Sequence, residues 1–251
     1  MSKKRRDQLD IFDLIFGVSF TLWYLVSQVI IMIAKILMFG YDVVTIYQSG
    51  YKEKSGNGLF KTYFNKGLMG EFRLYRKLTR VAPRSNIFTN VYIPGKHTTH
   101  TELDLVLISD RGILLYEIKN YSGSIYGSKS DVYWTQVLSY FIKNKFYNPI
   151  RQNNLHHQSL ASYLNVNQSE IVPIISFTNR SKLQRIDVDH RHYVLQTKDT
   201  IAFTKKILKD GPILFDQLAI NQMLYMLKAA SLKGLDIKDA HIQEVTQLVN
   251  K

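Results

Sequence analysis

From Leu14 to Ala34 no position is charged. That apolar run of about 21 residues matches the roughly 20 that a helix needs to cross the hydrocarbon of a bilayer. Asp13 and Lys35 bracket it, and Trp23 and Tyr24 lie in its middle rather than at its ends. The run is long for a signal-peptide core and no small-x-small cleavage site follows it. A core helix would need a polar face, and almost none is left. Apolar character continues weakly from Tyr41 to Tyr47, so a single pass and a re-entrant hairpin are both open. The pattern breaks at Ser49–Gly58, where Gly, Ser and charge dominate, as in a flexible linker or loop.

Beyond the break the periodicity alternates between helix and strand. Phe64, Leu68, Phe72, Tyr75 and Leu78 fall at helical spacing, predicting a helix over Tyr63–Val81 that Pro83 ends. Strands are expected at Asn86–Ile93, Leu103–Ile108 and Ile113–Ile118, the last two closing on Ser109-Asp110-Arg111-Gly112 as a β-hairpin. A short strand is expected around Trp134, a helix over Leu155–Leu164, and strands at Ile171–Phe177 and Tyr193–Gln196. Helices are expected near Thr200–Lys209, Asp216–Leu232 and Asp236–Val249. This mixture reads as an α/β domain. The organisation expected is 1–48 basic N-terminus and membrane segment, 49–61 linker, 62–210 catalytic-type domain, and 211–251 helices packing on it.

Composition sharpens this in two ways. The net charge of +13 favours a polyanionic partner, nucleic acid or an anionic membrane. The absence of cysteine excludes disulfides, thiolate metal sites and Cys nucleophiles. No Gly-x-x-x-x-Gly-Lys-Ser/Thr motif is present, so nucleotide-driven chemistry would need a partner. The basic cluster Lys3–Arg6 favours a cytoplasmic N-terminus. A single pass would then export the domain, in conflict with a cytoplasmic nucleic-acid enzyme.

The candidate chemistry lies on the hairpin. Strand side chains alternate, so Glu117 and Lys119 share a face. With the turn at Asp110-Arg111, Asp104 falls nearly opposite Glu117, about 5 Å away. Two carboxylates that close favour a shared hard cation such as Mg²⁺. The pair would act as metal ligands, with Lys119 orienting a water or countering charge in the transition state. The bland alternative, a solvated hairpin edge with a Glu–Lys pair, is at odds with the apolar run Ile113-Leu114-Leu115-Tyr116 that leads into Glu117.

Several segments together resemble the nuclease-related domain (NERD) family of the PD-(D/E)xK phosphodiesterase superfamily. They are Gly70-Glu71, Thr101 to Ile108, Gly112 to Gly123 with its Glu-Ile-Lys-Asn-Tyr-Ser-Gly end, Trp134, and Asn148-Pro149-Ile150-Arg151-Gln152. The resemblance covers roughly residues 62–180. It implies a restriction-endonuclease-like mixed sheet flanked by helices, and hydrolysis of phosphodiesters with Mg²⁺ or Mn²⁺. It further implies that Glu71 is a supporting helix carboxylate, Asp104 and Glu117 the metal ligands, Lys119 the strand lysine, and Gln152 a cleft glutamine. A His often follows the Asp in that family, and here Leu105 stands there. The function implied is a nuclease, DNA favoured, anchored through residues 14–34 with its catalytic domain in the cytoplasm. The alternative is a catalytically silent nucleic-acid-binding or scaffold protein tethered at the membrane. His97 with His100, His156 with His157, Lys205-Lys206 with Lys209, and His190-Arg191-His192 are read as loop, surface or core residues.

Overall fold

The computed structural model describes residues 3–96, 98–189 and 192–232, with side chains from residue 16 onward. His97, His190, Arg191 and the helix expected at 236–249 lie outside the described residues.

The first unit is one helix, α1 (Lys3–Gln48), and the rest from Ser49 onward is a second compact unit. Within α1, Phe16–Gln48 is 33 residues long and apolar enough to cross a membrane. At 1.5 Å per residue it exceeds the roughly 30 Å hydrocarbon thickness. The backbone is helical throughout, so a re-entrant hairpin has no bend on which to turn.

The second unit opens with α2 (Tyr51–Ser55), α3 (Leu59–Phe64) and α4 (Lys66–Leu78). The segment Ser49–Gly58, expected as a flexible linker, thus contains a helix. Its Tyr51 is fully buried and packs edge-on against Phe72 with ring centroids 5.3 Å apart. The single helix expected over Tyr63–Val81 is two. Asn65 interrupts it in extended conformation and caps α4 by accepting from Leu68 N at 3.1 Å.

Strands β1 (Ile87–Pro94), β2 (His100–Ser109) and β3 (Gly112–Lys119) form an antiparallel meander. Three further strands follow: β4 (Gly123–Ser128), β5 (Tyr133–Val137) and β6 (Lys143–Tyr147). Then come α5 (Pro149–Leu164), β7 (Ile171–Phe177), β8 (Ser181–Asp187), β9 (Tyr193–Gln196) and α6 (Thr197–Asp210). A last helix, α7, begins at 217 and is described to 232. The main sheet has the order β1-β2-β3-β7-β9, with β3, β7 and β9 parallel. A second sheet has the order β6-β5-β4-β8. The expected α/β class with a mixed sheet flanked by helices is what the chain adopts.

One core is built from Val106, Ile108, Ile113 and Leu115 on the main sheet, with Leu160 and Leu164 of α5 and Met223 and Leu227 of α7. A second joins the two sheets. Trp134 lies parallel to the Phe177 ring at 6.2 Å, and its indole N–H donates to Ser128 O at 2.9 Å. That bond satisfies the polar atom of a fully buried ring.

Candidate active site

The motif residues around the strand ends split into those that build the site and those that hold it. Asn120, just past β3, donates to the Lys66 carbonyl and accepts from Thr178 Oγ1 at 2.7 Å. It therefore ties the start of α4 and the end of β7 to β3. Gly70 makes this approach possible, because a Cβ there would sit 2.9 Å from Asn120 Cβ. Asn148 caps α5 by accepting from Ile150 N at 2.9 Å, and its amide donates to Asp131 O at 2.7 Å. Pro149 occupies the first turn of that helix, where no N–H is needed. The Asn120 contacts fix α4 at the C-terminal end of β3, and those of Asn148 tie the start of α5 to the turn between β4 and β5.

The hairpin register is as expected. Leu105 pairs with Tyr116 and Ser109 with Gly112, so Asp104 comes next, opposite Glu117. There the ladder gives way to a side-chain bond: Ile118 N donates to Asp104 Oδ2 at 2.8 Å. Glu117 is buried, and Lys119 Nζ lies 2.7 Å from its Oε1. The same ammonium donates to Gln152 Oε1 at 2.9 Å. The Lys119 side chain keeps 16% of its surface exposed against 1% for Glu117. His156, one turn along α5, places Nδ1 3.2 Å from Glu117 Oε2. The imidazole thus faces Glu117 Oε2 at ion-pair distance but outside hydrogen-bond geometry.

On the other side stands Glu71 of α4. Its Oε2 accepts from Asn90 Nδ2 at 2.8 Å, and that amide also reaches Glu102 Oε1 at 3.1 Å. Asn90 adopts φ 52°, the left-handed region, in the middle of β1. The β1 register runs on unshifted from Thr89↔Leu105 to Val91↔Leu103, so Asn90 stands opposite Asp104. Tyr51 O–H donates to Glu71 Oε2 and to Asn90 Oδ1, each at 3.4 Å, and Asn57 Nδ2 donates to Asn90 Oδ1 at 3.3 Å.

The electrostatics divide the carboxylates. Burial pushes the Asp104 carboxyl well above its ordinary range, and the charges of Glu117 and Glu71 push it further. Burial also raises Glu71, with Glu102 and Glu117 adding to it against the Asn90 bond, so that it titrates at about 7. Burial opposes the Glu117 charge as well. There, however, the Lys119 ammonium and His156 outweigh it and hold the group down at about 2. Burial disfavours the Lys119 ammonium, yet Glu117 and Asp104 keep it protonated above its usual range. Two neighbouring acids pushed in opposite directions are the signature of a site short of positive charge.

Whether a divalent cation fits follows from these donors. Among the described residues no cluster of three or more His, Cys, Asp and Glu side chains is arranged to hold a metal. Mg²⁺ needs fewer, since it commonly takes one or two carboxylates and completes its shell with water and phosphate. The mutually repelling Asp104 and Glu117 offer oxygen donors of the type such a cation takes.

All five residues singled out from the sequence stand around this end of β3. Lys119, Glu117 and Gln152 are in direct contact, Asp104 is bonded to the strand between them, and Glu71 is coupled by charge. Three further residues were not anticipated. An adjacent pair of histidines does not say which one turns inward: His156 does, and His157 instead reaches Gln168 O at 2.9 Å. Nothing in the pattern marked Asn90 or Tyr51.

The sequence model of the nuclease-related domain matches residues 66–178. An uncharacterised protein of Bacillus anthracis is 27% identical over 180 residues, which cover 71% of this chain and 82% of that protein. No solved structure gives a significant match. The matched span runs from the first residue of α4 to just past β7 and contains every residue of the Asp104–Glu117–Lys119–Gln152 constellation, so this part of the chain is similar to the nuclease-related domain, a family of the PD-(D/E)xK-like nuclease superfamily.

Proposed function

We propose that this protein is a divalent-metal-dependent nuclease that hydrolyses phosphodiester bonds in nucleic acid, DNA in preference to RNA, and that it is held at a membrane by its N-terminal helix. The observation that carries this reading is the Lys119 ammonium. It is fixed by Glu117 and Gln152 and set beside a second acid, Asp104, whose charge burial and its neighbouring carboxylates disfavour. A bare structural ion pair would need only Glu117 and Lys119. Asp104 and Glu71 add two more buried carboxyl groups whose charges repel each other and that of Glu117.

Asp104 and Glu117 are the residues that would hold Mg²⁺ or Mn²⁺, which when bound would polarise a phosphate oxygen and acidify a water. Lys119 binds the scissile phosphate or its attacking water and offsets the negative charge that grows on the phosphoryl oxygens. Because its ammonium is held protonated, it acts as a cation rather than as a base. Gln152 and Glu117 restrict the lysine to one position, which orients the water for in-line attack. In the reaction a bond forms between phosphorus and the water oxygen while one ester P–O bond breaks. The water proton passes to solvent and the leaving oxygen takes one up. His156 and Asn90 position the acids they touch.

The helix Phe16–Gln48 supplies the anchor and the net charge of +13 the attraction to a polyanion. A cytoplasmic catalytic unit, where nucleic acid is found, requires this single helix to cross with its N-terminus outside, against the preference of the basic cluster Lys3–Arg6. Parallel digestion of end-labelled DNA and RNA strands of one sequence, with Mg²⁺ and with EDTA, tests the reading. Metal-dependent cutting of DNA over RNA is expected. An equal rate on both would remove the DNA preference, and absence of cutting from folded protein would remove the nuclease assignment.

A further inference from the structure

The second sheet ends in a hairpin that the catalytic account does not use. Tyr133 pairs with Tyr147 and Val137 with Lys143, and the turn is closed by Leu138 N donating to Ile142 O at 2.9 Å. At its tip Tyr140 is 85% exposed and Phe141 90%, with the rings set edge to face and their centroids 5.0 Å apart. Leu138 and Ile142 flank them, each about half exposed. Side chains this apolar are rarely left uncovered together without a partner.

Two observations identify the partner. The first is place. Ser124 pairs with Val137, the last residue of β5, so the start of β4 lies beside the strand that leads into the tip. Gly123 allows this closeness: its φ is 78°, and a Cβ would lie 2.3 Å from Val137 O. Phe146 at the base of the hairpin packs on Tyr121 at 4.4 Å, two residues beyond Lys119. The hairpin thus rises from the same strand end that presents the catalytic lysine, and a strand whose phosphate reached Lys119 would run past its tip. The second is charge. No acidic residue occurs between Asp131 and Glu170, while Lys143 and Lys145 stand exposed on the outer face of β6.

We propose that this hairpin is a substrate-engaging finger: Tyr140 and Phe141 stack on unpaired bases next to the scissile phosphate, and Lys143 and Lys145 hold the flanking phosphates. This rests on the nuclease reading and specifies its substrate as nucleic acid with single-stranded character, a free strand, a flap or a duplex end. Aromatic platforms bind bases by their π-faces regardless of sequence, and apolar side chains such as Leu138 and Ile142 serve as wedges between base steps. A fully paired, stacked duplex offers them nothing.

The test uses the full chain in detergent micelles, carrying Asp104→Asn and in EDTA so that nothing is cut. Binding is read with a single strand containing 2-aminopurine and with the same sequence as a blunt duplex. The double substitution Tyr140→Ser/Phe141→Ser is expected to weaken single-strand binding by about tenfold or more and to abolish the stacking quench of 2-aminopurine. Duplex binding should change by less than about threefold, because it depends on phosphate contacts. Lys143→Ala/Lys145→Ala should weaken both and flatten the salt dependence. Undiminished single-strand binding by the tip variant would overturn the proposal. So would a fluorophore on Ser139→Cys, unique in a cysteine-free chain, that responds to anionic lipid nanodiscs and not to the oligonucleotide; the tip would then be a membrane contact. A parent chain that cuts nucleic acid but is indifferent to the tip overturns the finger alone, whereas one that neither binds nor cuts removes the nuclease reading with it.

Discussion

At the scale of single residues, Asn90 shows how much of the site is held by a side chain that does no chemistry. It bridges Glu71 and Glu102 from a left-handed backbone inside a strand. Hydrogen bonds to charged groups contribute about 1.5–3 kcal/mol each, and a non-glycine residue in this region costs about 1–2 kcal/mol. Asn90→Ala is therefore expected to destabilise the chain by about 2–4 kcal/mol in chemical unfolding, and Asn90→Gly to recover about 1 kcal/mol of that loss. Equal losses for both would show that the backbone stores no strain. Glu71 gives a pH-dependent counterpart. In the unfolded chain it releases its proton near 4.5, but in the folded one only at about 7. As pH rises between these values the folded state holds a proton that the unfolded chain has already released, so stability falls, and above about 7 the loss is complete. The melting temperature of Glu71→Gln should gain on that of the parent as pH rises from 5 to 8, and the gain should level off beyond. A pH-independent difference would contradict the assignment. From sequence, Asp104, Glu117 and Lys119 were legible because two strands and a tight turn fix their spacing. Asn90 was not, since its positive φ leaves no mark on an otherwise ordinary strand.

At the scale of elements, the site depends on a piece of chain that composition assigned to a linker. Gly, Ser and charge dominate Ser49–Gly58, yet α2 places Tyr51 in the core and its hydroxyl on Glu71. The signal was one aromatic residue in a polar stretch, too little to outweigh its neighbours. A chain starting at residue 58 should thus melt lower and cut more slowly than one starting at residue 49, because it loses the Tyr51 ring, a burial contribution of about 2–3 kcal/mol. Indistinguishable melting and cutting would show that α2 is dispensable. The second sheet was only partly legible. Trp134 announced β5, while β4 reads Gly-Ser-Ile-Tyr-Gly-Ser and β6 is dominated by lysine and asparagine. Such strands are set by pairing with neighbours rather than by their own apolar pattern, and lysine on an edge strand looks like loop. The break at Asn65 was missed for a related reason: a cap looks like any helix residue until the backbone turns.

At the scale of the whole molecule, two properties reach beyond any element: a helix apolar enough to cross a membrane, and a large positive charge in a chain whose residues 66–178 match the nuclease-related domain. Both were visible at once, because length, hydropathy and charge need no tertiary structure. Their meaning for function still rests on one end of β3. The most direct measurement is nicking of supercoiled plasmid by the full chain in detergent with Mg²⁺, beside Asp104→Asn, Lys119→Met and an EDTA control, each protein shown to be folded by circular dichroism. Nicking by the parent with metal, lost by at least about a hundredfold in both variants and in EDTA, is the predicted result. Nicking that persists in either variant, or that needs no metal, would contradict the account.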